Sequence, residues 1–192
     1  WAAENSAREL VMQADMTTAL LQAAYNYEER GGRVLIAKPS IDSKGGATVT
    51  SRLGVDRKVD LLIAPETNVR EAFLAVGGEI SCLLIDEAQF MTPAQVEQCL
   101  AIAVLDDVPV LAYGLRTDFR TAGFPGSTRL LEIAHTLEEL KTICRCGRKA
   151  MFNARKLGGN FVFDGSQVAI DGQDASYESL CANCYMAERA KA

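Results

Sequence analysis

The chain has 192 residues, of which 48% are apolar and 23% charged, and its formal net charge is −5 at pH 7. This composition is that of a globular protein, and it excludes general disorder, collagen and coiled coil. No stretch approaches the roughly 18 consecutive apolar residues of a membrane-spanning helix. The negative net charge disfavours non-specific electrostatic binding of nucleic acid. We therefore expect neither a membrane nor a nucleic acid as a partner.

Short apolar runs alternate with helical patterns along most of the chain. The first ten residues show no strand alternation, and a run of helix formers begins at Thr17 and stops at Gly31. Further along, the patterns predict helices at 67–76 and 92–105, a loop at 39–54, and buried strands at 33–37, 59–64, 80–85 and 108–113. This alternation predicts an α/β fold in which helices flank a mainly parallel sheet.

The last quarter of the chain reads as a smaller module. A Gly-rich stretch at 157–166 precedes a short predicted strand at 168–170. We place the boundary near residue 142, which gives a core at 1–141 and a C-terminal lobe at 142–192. The chain does not begin with Met, which indicates a processed, trimmed or altered start. No signal peptide is recognised, so we expect a cytoplasmic protein with reduced thiols.

Four of the six cysteines form two close pairs in this C-terminal lobe. Four thiolates are the number that a closed, tetrahedral zinc site requires, and such a site is structural because it has no open position. The pairs are Cys144 with Cys146 and Cys181 with Cys184. Two local disulfides or free thiols are the alternative. Cys82 and Cys99 lie in apolar runs and are interpreted as core residues.

Two acids, Asp86 and Glu87, follow the predicted strand at 80–85. Open α/β sheets bind ligands at the carboxyl ends of their strands, and an acid there can hold the Mg²⁺ of a nucleotide. A second acid beside it can act as a general base on a hydroxyl. The alternative is a solvated loop that happens to begin with two acids.

The segment after the predicted strand at 108–113 carries Arg116, Phe119 and Arg120. An arginine can stabilise the charge of a phosphoryl group in transfer, and a phenylalanine can stack on a base. An ordinary surface loop is the alternative. Tyr177 lies close to Cys181, and it is interpreted either as a ligand contact or as a core residue. The single histidine, His135, is interpreted as a surface or core residue.

In this order, several segments resemble the type II, zinc-containing thymidine kinases over residues 17–185. They are TTALLQ, YNYEERG, LIDEAQF, YGLRTDFR, KTICRCGRKA and YESLC. The resemblance implies a P-loop-type core and a zinc-ribbon-like lobe with a lasso-like loop over thymidine. It implies transfer of the γ-phosphoryl group of ATP to the thymidine 5′-hydroxyl, giving dTMP for nucleoside salvage. It also implies a homotetramer that is inhibited by the end product dTTP.

The resemblance also assigns roles to individual residues. Glu87 matches the general base, and Arg116 and Arg120 match residues near the phosphates. Mg-ATP would be bound by Thr17, Thr18, Asp86 and Gln89. The nucleoside would be contacted by Phe90, Phe119, Val168, Ala169, Ile170, Asp171, Gly172 and Tyr177. Asp171 departs from the family, which has the first of two glycines there.

The phosphate loop departs most strongly from the family pattern. Its pattern is G-x-x-x-x-G-K-[ST], in which glycine N–H groups and the lysine face the phosphates. Alignment on Thr17 puts Leu10 at the first glycine, Asp15 at the second and Met16 at the lysine. Three explanations are open: residues 1–16 are not the natural sequence, the chain is an active enzyme with an unusual loop, or it is a catalytically silent nucleoside-binding relative. A zinc-ribbon nucleic-acid binder is a further reading that the acidic charge disfavours.

Overall fold

A computed structural model of the chain describes residues 10–14, 17–40, 48–50, 56–167 and 175–191. Contacts divide the chain into two units. The first consists of Trp1–Arg116 with Pro125–Leu140, and the second of Thr117–Phe124 with Lys141–Ala192. The second unit thus includes a segment, Thr117–Phe124, that the sequence analysis left in the core. The domain boundary near residue 142 stays a prediction.

The first unit is built on a six-stranded parallel sheet with the order β5-β2-β6-β7-β1-β8. Its strands are β1 (Leu10–Ala14), β2 (Val34–Pro39), β5 (Leu61–Ile63), β6 (Cys82–Ile85), β7 (Val110–Gly114) and β8 (Thr136–Glu139). A separate antiparallel pair is formed by β3 (Thr48–Thr50) and β4 (Asp56–Lys58). The predicted α/β fold with a parallel sheet flanked by helices is confirmed.

Four helices belong to the first unit in the described ranges, namely α1 (Thr17–Glu28), α2 (Val69–Val76), α3 (Pro93–Leu105) and α4 (Pro125–Ile133). Helix α3 begins where the sequence places it, because Thr92 and Gln95 form a capping box and Pro93 occupies the first turn. Helix α2 begins after Asn68, whose side chain accepts a hydrogen bond from the backbone N–H of Glu71. Along the described ranges, no helix is both long and apolar enough to span a bilayer.

Strand β6 shows why the central strands of the sheet consist of consecutive apolar residues. All four of its residues are buried. Leu83 and Ile85 belong to the cluster that contains α2 and α3, whereas Cys82 and Leu84 belong to the cluster that contains α1. Successive side chains of a strand point to opposite faces, so both faces of the sheet are covered.

Four strands of the first unit were not predicted, namely β1, β3, β4 and β8. β1 lies in a segment without alternation, although it pairs with β7 on one side and β8 on the other. β3 lies inside the predicted loop at 39–54. The partners of β1 are remote in sequence, and all four strands have only three to five residues, so a local pattern carries little of the signal.

The second unit contains a three-stranded antiparallel sheet of order β10-β9-β11 and one helix. Its elements are β9 (Phe152–Leu157), β10 (Asn160–Val162), β11 (Ala175–Leu180) and α5 (Ala182–Arg189). Tyr185 of α5 is buried against Phe152 and against the edge of Phe163. These rings and the buried cysteines form the small core of the unit. The strand predicted at 168–170 lies outside the described residues.

Candidate active site and metal centre

The turn after β6 carries the two acids predicted from the sequence. Asp86 is buried, and its backbone N–H donates to the carbonyl of Ala37 over 2.9 Å. Glu87 adopts the left-handed conformation, with φ 53° and ψ 36°, which non-glycine residues adopt only at some cost. A short 3-10 helix, Ala88–Phe90, follows at once. The chain therefore reverses sharply at the carboxyl end of a central strand, where it presents Glu87.

Gln89 holds the carboxylate of Glu87 in place. Its side-chain Nε2 donates to Glu87 Oε2 over 2.5 Å, and its Oε1 accepts from the backbone N–H of Leu115 over 3.1 Å. Gln89 is only 1% exposed. The neighbouring Gly114 leaves no spare room, because a Cβ there would lie 2.6 Å from Gln89 Oε1. This amide thus ties the ends of β6 and β7 together.

The other first-unit residues of the predicted site lie at the edge of the sheet formed by the carboxyl ends of its strands. β6, β7 and β1 are neighbouring parallel strands, so their carboxyl ends lie at one edge. Thr17 and Thr18 begin α1 just after β1, and Arg116 is exposed just after β7. Phe90 is half-buried at the end of the 3-10 helix. The structure therefore brings these residues to the edge that holds Asp86 and Glu87.

The residues aligned with the phosphate loop in the sequence analysis overlap with strand β1. On that alignment the pattern would run from Leu10 to Thr17, but Leu10–Ala14 forms β1. Two residues, Asp15 and Met16, separate β1 from α1, and they lie outside the described residues. The position of the first glycine is therefore the first residue of a strand and not part of a loop.

Asp118 organises the loop of the second unit that carries Phe119 and Arg120. Its buried Oδ1 accepts from the backbone N–H groups of Arg120 and Ala122, each over 2.9 Å. Its Oδ2 accepts from the guanidinium of Arg120, which also donates to the carbonyl of Gly165. Arg120 is thus held by groups of its own unit. The sequence analysis predicted Arg120 but missed the acid that fixes it.

Phe119 and Tyr177 are brought together by Arg155. The Arg155 guanidinium carbon lies 3.8 Å from the centroid of the Phe119 ring, which is 2% exposed. Arg155 Nε also donates to the hydroxyl of Tyr177 over 3.1 Å, and Tyr177 is 54% exposed. The predicted base-contacting residues 168–172 lie outside the described residues. Sequence analysis missed Arg155 because nothing distinguishes it from its neighbour Lys156 in the strand.

The four predicted metal-binding cysteines come together in the second unit. Their Sγ atoms all lie within 4.8 Å of one another. Cys146 Sγ lies 3.6 Å from Cys144 Sγ and 3.5 Å from Cys181 Sγ. A disulfide needs about 2.05 Å, whereas tetrahedral zinc with bonds of about 2.3 Å spaces its sulfurs at about 3.8 Å. The four thiols are free, so the spacing fits a zinc ion and not two disulfides.

Two local turns build this cluster. Gly147, with φ 82°, closes a turn in which its N–H donates to the carbonyl of Cys144. Cys181 caps α5, and its sulfur accepts from the backbone N–H of Cys184. Backbone N–H groups of Cys146 and Cys181 lower the pKa of the Cys144 thiol to about 6, and that of Cys184 lowers the pKa of Cys181. The turns thus favour the thiolate forms of Cys144 and Cys181, whereas hydrogen bonding with the neighbouring thiols raises the pKa of Cys184.

Fold and site together define a class: an α/β protein of the nucleotide-binding type that carries acids at a central strand end and a four-cysteine lobe. The family model described as thymidine kinase matches residues 10–185. The chain is 44% identical to a thymidine kinase of Photorhabdus laumondii over 91% of its own length and 88% of the relative's. It is 45% identical to one of Shewanella oneidensis, over 88% and 90% of the two chains. It is 46% identical to one of Mannheimia succiniciproducens, over 88% of each.

The chain therefore belongs to the thymidine kinase family, which makes it an enzyme of the phosphotransferase class. The predicted resemblance is confirmed. The family match begins at Leu10, so it includes β1 as well as the later motifs. This membership favours the enzyme over the catalytically silent relative.

Proposed function

We propose that the chain transfers the γ-phosphoryl group of ATP to the 5′-hydroxyl of thymidine, giving dTMP and ADP in pyrimidine deoxynucleoside salvage. The observation that carries the proposal is the Glu87 carboxylate at the carboxyl end of β6, beside buried Asp86 and held by Gln89. Carboxylates fixed at that edge suit phosphoryl transfer, where positioning and charge do most of the work.

Glu87 acts as the general base in this proposal. It takes the proton of the 5′-hydroxyl as that oxygen forms a bond to the γ-phosphorus. The bond from the γ-phosphorus to the bridging oxygen of the β-phosphate breaks, and its electron pair leaves with ADP. Arg116, exposed at the end of β7, and Arg120 supply positive charge for the phosphoryl oxygens.

Asp86 is the residue that would hold the Mg²⁺ of the nucleotide, together with Thr17. In nucleotide-binding α/β proteins an acid at a strand end and a Ser or Thr hydroxyl at the start of a helix hold Mg²⁺ together, so these residue types fit the ion. When bound, the ion neutralises charge on the phosphates. Thr18 and Gln89 complete the proposed nucleotide contacts, and Gln89 also orients Glu87.

The zinc ion of this proposal is structural. Cys144, Cys146, Cys181 and Cys184 would occupy all four positions of a tetrahedral ion, so no open position would remain for water or substrate. Its contribution is to tie the turn at Cys144 to the start of α5.

The proposed nucleoside contacts are Phe90, Phe119, Tyr177 and the segment 168–172. Tyr177 is exposed enough to reach a ligand, whereas Phe119 is almost wholly buried with Arg155 over its ring. We therefore propose that Phe119 acts indirectly, by supporting the Arg155 guanidinium that lies on its ring. We carry inhibition by dTTP, a homotetramer and a cytoplasmic location over from the family resemblance.

Product analysis tests the proposal. The chain is incubated with Mg²⁺, thymidine and ATP labelled in the γ-phosphate, and label is followed into dTMP identified by mass. We expect labelled dTMP, and we expect more of it from Asp15→Gly with Met16→Lys, which restores the glycine and lysine of the phosphate-loop pattern. If thymidine binds while neither protein forms dTMP, the proposed function is wrong.

A further inference from the structure

Arg155, in the middle of β9, is a buried cation with an unusual set of partners. Its side chain belongs to a residue that is 5% exposed, and it forms no ion pair with any residue in the described ranges. Instead each of its three nitrogens donates to a different oxygen. Nε donates to the Tyr177 hydroxyl over 3.1 Å, Nη1 to the carbonyl of Ser166 and Nη2 to that of Gln167, both over 2.9 Å.

The face of the same guanidinium lies against an aromatic ring. Its carbon is 3.8 Å from the ring centroid of Phe119 and 5.6 Å from that of Tyr177. A planar guanidinium can stack and donate in three directions at once, whereas a lysine ammonium is a compact point charge. The geometry therefore depends on arginine specifically, and not on positive charge alone.

Two of the groups that contact Arg155, Phe119 and Tyr177, are residues assigned to the nucleoside. The other two, Ser166 and Gln167, accept from Arg155 through their backbone carbonyls, so the guanidinium fixes the position of this stretch of backbone. The Tyr177 hydroxyl accepts from Arg155, which leaves its own proton to donate to an oxygen of a ligand. Gln167 is further tied to the carbonyl of Gly123 through its side chain.

We propose that Arg155 is a positioning residue for thymidine binding, which stacks on the buried ring of Phe119 and holds the Tyr177 hydroxyl and the backbone of Ser166 and Gln167 in place. The inference rests on the proposed function, because it presumes that the lobe binds the nucleoside. Arg155 itself is buried behind these groups, and it acts through them. Misplacing a binding group by about 1 Å can cost up to about 100-fold in rate.

The fold of the lobe has other sources of stability. Tyr185 packs on Phe152 and Phe163, its hydroxyl donates to the carbonyl of Phe119 over 2.6 Å, and the four cysteines lie together beside it. A conservative change at Arg155 should therefore leave the lobe folded and its metal bound. That separates a positioning role from a purely structural one.

The test compares Arg155→Lys with Arg189→Lys, which changes an exposed arginine of α5 in the same unit. Initial rates are measured with thymidine and ATP varied in turn, and zinc content and thermal melting are measured on the same samples. For Arg155→Lys we expect the KM for thymidine to rise roughly 10- to 100-fold, with the KM for ATP within about twofold of the unchanged chain. Arg189→Lys should match the unchanged chain.

A double-mutant cycle with Tyr177→Phe tests whether Arg155 affects thymidine binding through the Tyr177 hydroxyl. If Arg155 acts in part through the Tyr177 hydroxyl, the increases in thymidine KM for the two single variants will not multiply in the double variant. The proposal is overturned if Arg155→Lys leaves the thymidine KM unchanged in an active enzyme. It is also overturned if that variant loses zinc and raises both KM values alike, which would assign Arg155 to folding. Absence of thymidine phosphorylation by the unchanged chain would instead refute the proposed function.

Discussion

At the scale of single residues, the candidate active site depends on one strained position and one amide. Glu87 occupies a left-handed conformation that a non-glycine residue adopts at a cost of about 1–2 kcal/mol. Gln89 joins its carboxylate to the backbone of Leu115. Sequence alone identified both residues, but not the bond between them, because the partner N–H lies on another strand.

Gly114→Ala tests whether this close packing positions Glu87. The added Cβ would lie 2.6 Å from Gln89 Oε1 and 3.0 Å from its backbone nitrogen, so Gln89 must shift. We expect a loss of about 1–3 kcal/mol of stability and a fall in kcat of roughly 10- to 100-fold. Denaturant unfolding and steady-state rates measure the two effects.

Gly31→Ala is the matched control, since its cost arises from a φ of +79° with no atom within 4 Å of the new Cβ. It should lose about 1–2 kcal/mol of stability and keep its kcat. An unchanged kcat in Gly114→Ala would show that Gln89 does not position the base.

At the scale of elements, local signals predicted α1, α2, α3 and the apolar strands β2, β5, β6 and β7 of the first unit, but not α4. The capping box at Thr92 and the apolar run of β6 are complete within a few residues of sequence. β1 pairs with β7 and with β8, and these partners are too far away in sequence for a local pattern to predict the pairing. Arg155 contacts residues that are distant in sequence, so the pattern around residue 155 does not predict its burial. They are Phe119, Ser166, Gln167 and Tyr177.

Thr92→Ala tests the start of α3. The Thr92 hydroxyl accepts from the N–H of Gln95 over 3.2 Å, and the Gln95 side chain accepts from the N–H of Thr92 over 3.0 Å. Removing the hydroxyl should cost about 1 kcal/mol in the free energy of unfolding, measured in urea. Thr92→Ser keeps the acceptor and should lose much less. Equal losses in the two variants would rule out the cap as the cause.

At the scale of the whole molecule, the two units differ in what stabilises them: a large apolar core in the first, and a small core with a cysteine cluster in the second. The first unit covers both faces of its sheet with apolar side chains. The second has a core of only a few buried residues, and four of its cysteines lie within 4.8 Å of one another. A small core of this kind usually needs a metal or disulfides for stability. Sequence spacing predicted the cysteine set, because close pairs of cysteines in a reduced chain indicate a metal.

Loss of zinc tests whether the second unit depends on a bound metal for its stability. We expect about one zinc ion per chain by metal analysis, and we expect Cys184→Ser to lose the ion and to melt at a lower temperature. Cys99→Ala is the control, because Cys99 is buried in the first unit and far in sequence from the cluster. It should keep the ion. Absence of metal from the unchanged chain, or loss of zinc in Cys99→Ala, would contradict the assignment.

The most direct test of the central claim is the rate of thymidine phosphorylation by Glu87→Gln. The amide keeps the size of the side chain but cannot take a proton from the 5′-hydroxyl. We predict that kcat falls about 100- to 10,000-fold while the dissociation constant for thymidine changes little. Glu97→Gln, on the exposed side of α3, should leave kcat unchanged. A Glu87→Gln enzyme that keeps its full kcat would contradict the assignment of Glu87 as the general base.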